Sequence, residues 1–129
     1  MKTIKQSVIF SATPHEVFEM LMDSRKHSAF TGATAVISRK VGGKISAYDG
    51  YIEGKNLKII TDKKIVQKWR GSDWDEGVLS TVTFALKPSG KGCALSFTQE
   101  GVPDSEFKAI SDGWKEHYWD KMKNAIKKS

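Results

Sequence analysis

The first residues alternate between polar and apolar side chains and then change to a helical pattern. The alternation predicts a strand over Lys2–Phe10, with its apolar side at Ile4, Val8 and Phe10. A helix start follows, because Thr13 and Glu16 form a capping box around Pro14 at the first helical position. The apolar spacing ends that helix near Met22 or Asp23, and a second short helix is expected over Ser24–Phe30.

From Ala33 onward, turn-forming pairs such as Gly42-Gly43 and Asp49-Gly50 recur at hairpin spacing, and Gly54 also interrupts an apolar run. The segments between the turns are rich in β-branched residues, which favours strands. These segments predict an antiparallel meander with strands at Ala35–Ser38, Lys44–Tyr48, Tyr51–Glu53, Leu57–Thr61, Ile65–Arg70, Val78–Lys87 and Ala94–Glu100.

A long amphipathic helix is predicted over residues 105–127. At helical spacing its large apolar side chains fall on one line, formed by Phe107, Trp114, Tyr118 and Ala125, with Ile110 and Met122 beside it. A single apolar side indicates that the helix packs on a flat surface. Gly113 weakens the helix by roughly 1 kcal/mol relative to alanine, so we expect another element to pack close to its backbone.

The order of these elements is that of the helix-grip, or START-like, fold. We therefore expect an α+β domain in which a curved antiparallel sheet wraps around the long C-terminal helix, with two short helices near the N-terminus. Residues 1–129 are expected to form this single domain. In such a fold the space between helix and sheet is commonly a cavity.

Composition and charge limit the classes of protein to which this chain can belong. The only cysteine, Cys93, cannot form an internal disulfide, and the N-terminus has no apolar run typical of a signal peptide or membrane span, so we expect a cytoplasmic protein. The net charge is +6, and residues 1–70 carry 13 Lys and Arg against 6 Asp and Glu. This basic half favours an acidic partner. Nucleic acid is not expected as that partner, because the sequence has no RNA- or DNA-binding motif.

Five separated motifs carry a family resemblance. The longest runs from Lys64 to Gly77 and reads KIVQKWRGSDWDEG; the others are Gly42-Gly43, the stretch from Asp49-Gly50 to Gly54, Gly101-Val102-Pro103, and Gly113-Trp114 followed by Tyr118. In this order and spacing they closely resemble the C-terminal domain of the activator of heat-shock protein 90 ATPase, over nearly the whole chain.

The resemblance implies a START-like domain related to a co-chaperone that stimulates the weak ATPase of the chaperone by clamping its domains together. In the eukaryotic co-chaperone, a separate N-terminal domain makes the principal contact with the chaperone. We expect no counterpart of that domain here, because the chain begins directly at the C-terminal type of domain.

Inward-facing side chains with a hydrogen-bonding end are the candidates for lining a ligand pocket. They are Tyr48, Trp69, Ser80, Trp114, His117 and Tyr118. An alternative remains open for each, because buried Trp and Tyr residues usually pack in a core, and His117 at the edge of the stripe is typical of a boundary histidine.

Candidate partner contacts lie where Trp69 and Trp74 flank Arg70. Trp74 is expected in a turn beside acidic residues, where a partly exposed indole could anchor a protein partner, or else pack on the sheet edge.

Catalytic residues, cofactors and metal sites are not expected, because the sequence has no nucleophile elbow, zinc-binding helix or phosphate loop. Cys93 is expected at a hairpin end and His27 in a polar loop.

Two functions follow as hypotheses. The first is a non-enzymatic, chaperone-associated module whose partner is a heat-shock protein 90-type chaperone. The second is a binder of a small apolar or aromatic ligand in the helix-grip cavity.

Overall fold

The structure, a computed structural model, describes residues 1–128. Its strands, numbered in chain order, are β1 Lys2–Phe10, β2 Val36–Ile37, β3 Lys44–Ala47, β4 Ile52–Ile60, β5 Lys64–Gly71, β6 Ser80–Ser89 and β7 Gly92–Val102. Its helices are α1 Pro14–Met22, α2 Ser24–Thr31, a 3-10 turn Asp104–Glu106, α3 Phe107–Trp114, a π-helical turn Lys115–Trp119 and α4 Asp120–Lys128. The predicted order of elements is confirmed.

The seven strands of the described chain form one antiparallel sheet in the order β1-β7-β6-β5-β4-β3-β2. The predicted helix-grip architecture is confirmed, because this curved sheet packs its inner face against the long C-terminal helix. Alternation along β5, β6 and β7 turns one apolar set toward that helix, as in Ile65, Phe84 and Phe97. The helix contributes Trp114 and Met122 to the same core.

The predicted break at Gly54 is wrong. Residues 52–60 form one strand, and its pairing with β5 shifts at a bulge between Asn56 and Lys58. A Cβ atom at Gly54 would lie 1.7 Å from the carbonyl oxygen of Lys68, so glycine is needed for a close backbone approach rather than for a turn.

The first of the two N-terminal helices begins as its capping signal indicates. Thr13 Oγ1 accepts a hydrogen bond from the backbone N–H of Glu16 at 3.1 Å, and Glu16 Oε1 accepts one from that of Thr13 at 3.1 Å. The expected polar-loop position of His27 is wrong: the residue lies in α2, within the helix predicted over Ser24–Phe30, and is 3% exposed. A histidine among polar neighbours reads as a surface residue unless its partners are known.

Candidate functional site

A pocket of about 460 Å³ opens between the C-terminal helix and the ends of β4 and β5. Its walls combine aromatic rings with a few polar groups, and glycine at Gly71 and Gly113 leaves two wall positions without side chains. Among the lining residues are Tyr48, Tyr51, Trp69, Arg70, Trp74, Gln99, Glu106, Ile110, Trp114, Glu116, His117 and Tyr118.

Three buried aromatic rings form the floor of the pocket. The ring centroids of Trp69 and Trp114 are 4.9 Å apart, and that of Tyr118 lies 4.7 Å from Trp114 and 5.8 Å from Trp69. Each ring therefore packs against the other two, and each is at most 5% exposed. The floor is closely packed and apolar, which suits a flat apolar guest or serves as core.

Two glutamines satisfy the indole nitrogens of this floor. Trp69 Nε1 donates to Gln67 Oε1 at 2.8 Å, and Trp114 Nε1 donates to Gln99 Oε1 at 2.7 Å. The amide of Gln99 donates in turn to Ser80 Oγ at 2.8 Å. No buried side-chain nitrogen or oxygen in the described chain lacks a hydrogen-bond partner, so the floor offers a guest no unpaired polar group.

Tyr118 and His27 form a second buried hydrogen bond, behind the floor. The Tyr118 hydroxyl and His27 Nε2 are 2.8 Å apart, and His27 Nδ1 lies 3.1 Å from the carbonyl oxygen of Leu21. A carbonyl only accepts, so Nδ1 carries the proton and the hydroxyl donates to Nε2. Burial lowers the pKa of His27 more than the Leu21 carbonyl raises it, and burial raises the pKa of Tyr118 well above 10.0.

The roof of the pocket is formed by Glu116 and His117 of the π-helical turn, which also carries the floor residue Tyr118. The hydroxyl of Tyr48 donates to the carbonyl oxygen of His117 in this turn at 2.6 Å. The turn also brings Trp119 inward beside Tyr118, and Trp119 Nε1 donates to Gln6 Oε1 at 2.7 Å.

Tyr48 reaches the roof from a strained backbone. Its φ is +51°, and Asp49 and Gly50 follow at +57° and +92°. A tyrosine in the left-handed region costs of order 1–3 kcal/mol, a strain often found at ligand sites. Burial raises the pKa of Tyr48 to about 12, so the hydroxyl remains a donor at neutral pH.

The rim of the pocket is a loop between β5 and β6, residues 72–79. The Arg70 guanidinium donates to the carbonyl oxygens of Trp74, Asp75 and Val78 and thereby holds the loop. Trp74 is half-buried, and a Cβ atom at Gly71 would lie 2.7 Å from its Nε1. The Tyr51 hydroxyl donates to Asp73 Oδ1 at 2.6 Å, and burial together with this carboxylate raises the pKa of Tyr51 to about 12.

The structure brings together most of the residues proposed from the sequence. Tyr48, Trp69, Trp114, His117 and Tyr118 all line the pocket, and so do Arg70 and Trp74 of the rim. Ser80 does not. It is fully buried behind the wall, where its hydroxyl donates to the carbonyl oxygen of Trp69 at 3.0 Å.

Further residues of the site were missed in the sequence. Gln67 and Gln99 stand at inward positions of β5 and β7, so polar residues within an apolar alternation were the signal for them. His27 gave no such signal. The expected close packing at Gly113 is wrong, since a Cβ atom there would meet only His117 Cδ2, at 3.7 Å, and the space belongs to the pocket.

The described residues offer few features for nucleophilic catalysis, metal binding or membrane insertion. Cys93 is buried, and burial raises the pKa of its thiol, the opposite of an activated nucleophile. Residues 1–128 contain no cluster of three or more side chains suited to a metal ion. No helix within this range is long and apolar enough to cross a membrane.

Curated relatives match the chain over nearly its whole length. An activator of 90 kDa heat shock protein ATPase homolog from Dictyostelium discoideum is 33% identical over 126 residues, which cover 97% of this chain and 33% of the relative. The homolog 1 protein of Homo sapiens is 29% identical over 124 residues, covering 96% of this chain and 36% of that protein. The chain thus spans about a third of the length of these relatives.

The fold agrees with a solved structure. The crystal structure of an HSP90 activator from Plasmodium falciparum superposes with a TM-score of 0.92 at 24% identity, covering 98% of this chain and 96% of that one. A family model described as activator of Hsp90 ATPase homolog 1-like protein matches residues 11–127. The chain therefore belongs to the activator of Hsp90 ATPase homolog 1-like family.

Proposed function

We propose that this domain binds a heat-shock protein 90-type chaperone and modulates its ATPase, without catalysing a reaction of its own. The observation that carries the proposal is the family match over residues 11–127, since the curated relatives are named as activators of that ATPase. The chain covers only a third of those relatives, so stimulation by this part alone is the point to test. The cytoplasm is the proposed site of action.

Two features of the surface support a partner-binding role. The rim loop presents the half-buried indole of Trp74, held from below by Arg70, and large aromatic side chains of this kind dominate many protein interfaces. The basic half of the chain would accelerate encounter with an acidic chaperone surface, and salt would weaken that effect.

The test measures ATP turnover by the cognate chaperone with and without this protein, at low and high salt. We expect stimulation that weakens at high salt, and a loss of stimulation in Trp74→Ala. Val41→Ala, an exposed apolar position at 65% exposure, is the matched control and should behave as the parent protein. Thermal unfolding of each variant shows that the domain is folded. Absence of both stimulation and co-purification with the chaperone would refute the proposal.

The pocket supports a second candidate function, the binding of a small apolar or aromatic ligand. A volume of about 460 Å³ lies within the range of small-molecule sites, and six of the sixteen lining residues are Tyr or Trp. Native mass spectrometry of the purified protein, with a hydrophobic fluorescent probe, tests it. Gly113→Leu fills the pocket and should displace any ligand, whereas Ala29→Leu on exposed α2 should not. Equal binding by the parent and Gly113→Leu would place the ligand elsewhere.

A further inference from the structure

A row of lysines crosses the outer face of the sheet, on the side away from the C-terminal helix. Lys44 of β3 is directly opposite Lys55 of β4, and Lys55 is directly opposite Lys68 of β5. Opposite residues on neighbouring strands point to the same face with their Cβ atoms about 4.5–5.5 Å apart. Three lysine side chains thus leave the outer face from adjacent positions set by the register of the sheet, and we call them the lysine row.

The positive charge of the lysine row is not neutralised within the described chain. None of the ion pairs of residues 1–128 includes any of the three, although Glu53 lies on the same face. Lys68 Nζ donates to Thr81 Oγ1 at 2.8 Å, a neutral partner. Like charges directly opposite one another destabilise a sheet. An external anion would remove that repulsion.

The lysine row lies in a surface groove of about 550 Å³. Two exposed apolar side chains, Val36 at 63% and Leu79 at 50% exposure, also line the groove. Arg70 and Glu53 line it as well. They stand opposite each other on β5 and β4, and the Arg70 guanidinium is bonded to carbonyl oxygens of the rim loop, so the lysines supply the excess positive charge of the groove. We propose that this groove docks an extended acidic segment of a protein partner, with carboxylates along the lysine row and apolar side chains against Val36 and Leu79.

The dimensions and composition of the groove favour an acidic peptide. Two strand spacings give the row a length of about 10 Å, which is about three residues of extended chain. Single-stranded nucleic acid needs aromatic rings for base stacking, whereas the aromatic side chains of the neighbouring strands, such as Trp69 and Phe84, are buried on the inner face. This inference rests on the proposed function in one respect only, the identity of the protein that carries the acidic segment.

The experiment measures binding of a fluorescein-labelled octapeptide of alternating Glu and Ser, which presents its carboxylates on one side of an extended chain. The matched ligand replaces Glu by Gln. The row variant carries Lys44→Gln, Lys55→Gln and Lys68→Gln. The control variant carries Lys87→Gln, Lys91→Gln and Lys123→Gln, three exposed lysines outside the groove, and loses the same charge. Amide chemical shifts locate the peptide.

We expect the Glu peptide to shift the amides of β3, β4 and β5. Affinity should fall about tenfold or more in the row variant and less than about twofold in the control. Equal losses in both variants, or binding of the Gln peptide with the same affinity, would overturn the proposal. So would tighter row-dependent binding of oligothymidylate or of phosphatidylserine vesicles than of the Glu peptide, because either would assign the groove to another partner.

The chaperone assay separates this inference from the proposed function. Stimulation that is unchanged in the row variant would leave the proposed function standing and refute the docking site for that chaperone. Absence of stimulation by the parent protein, with row-dependent binding of the Glu peptide, would refute the proposed function and leave the acidic-segment site standing.

Discussion

Gln67 and Gln99 allow two indoles to lie inside the domain. A buried indole N–H without an acceptor costs about 1–3 kcal/mol, and each glutamine supplies that acceptor from an inward strand position. The pocket floor is therefore held by directional bonds as well as by apolar packing.

Replacement of Gln99 tests this coupling. Gln99→Leu removes the acceptor of Trp114 and the amide bonded to Ser80, so we expect the free energy of unfolding to fall by about 1–3 kcal/mol in denaturant titrations. In a Trp114→Phe background the indole N–H is already absent, and the same substitution should cost measurably less. Identical costs in the two backgrounds would show that the bond does not stabilise the domain.

His27 makes the stability depend on pH. Burial lowers its pKa in the folded state, so below its ordinary value of about 6.5 the unfolded chain takes up a proton that the folded chain does not. The free energy of unfolding should therefore fall from about pH 7 to about pH 5. Glu16 and Asp23 have lowered pKa values, and their stabilisation is lost only below about pH 4.5.

The matched variant for this effect is His27→Gln, which does not titrate. It should lower stability at pH 7 by loss of the bond to Tyr118, yet show a flatter dependence between about pH 7 and pH 5 than the parent protein. His15 and His117 are present in both proteins and cancel in the comparison. Parallel curves for the two proteins would exclude His27 as the source.

At the scale of elements, the π-helical turn Lys115–Trp119 decides what faces the pocket. It carries Tyr118 and Trp119, both buried in the core, and Tyr118 also lines the pocket. The turn is stabilised from outside the helix, by Tyr48 at the His117 carbonyl and by Gln6 at the Trp119 indole. The shape of the pocket thus depends on contacts between distant segments.

Tyr48→Phe isolates the contribution of the hydroxyl. The ring and the left-handed backbone remain, so only the bond to the His117 carbonyl is lost, and we expect a cost of about 0.5–1.5 kcal/mol. Amide hydrogen exchange should increase in residues 115–122 and stay unchanged in β6 and β7. The control is Tyr51→Phe, whose hydroxyl bonds to Asp73 on the rim and should leave exchange in the helix unaltered. Uniform acceleration over the whole chain would instead indicate global destabilisation.

Local patterns were enough to predict the helix-grip fold, because capping at Thr13, alternation in β6 and the apolar line of the long helix are all short-range signals. They were not enough for the π-helical turn or the continuity of β4. The first depends on Tyr48, far away in sequence, and the second on the backbone of Lys68 passing close to Gly54. A glycine that permits close approach and one that forms a turn look alike in a sequence.

For the whole molecule, the two faces of the sheet carry different chemistry. The inner face holds the aromatic floor of the pocket, and the outer face holds the lysine row, with strand alternation assigning neighbouring residues such as Lys68 and Trp69 to opposite sides. A partner on the outer face and a small ligand in the pocket would both contact β5. Arg70 lines both cavities and holds the rim loop, so it connects the two surfaces.

The lysine row should also lower the stability of the free protein, and Lys55→Gln tests this. Lys55 stands between two opposite lysines, so its removal relieves two repulsions at once. We expect a gain of about 0.5 kcal/mol, or an unfolding midpoint about 2 °C higher at low salt. The gain should fade at about 1 M salt, where screening reduces the range of charge interactions to about 3 Å.

The control is Lys87→Gln, which removes the same charge at a position opposite Ala94 and should leave the unfolding midpoint unchanged. A midpoint that is unchanged or lower in Lys55→Gln would mean that water alone solvates the row, and its need for an external anion would disappear.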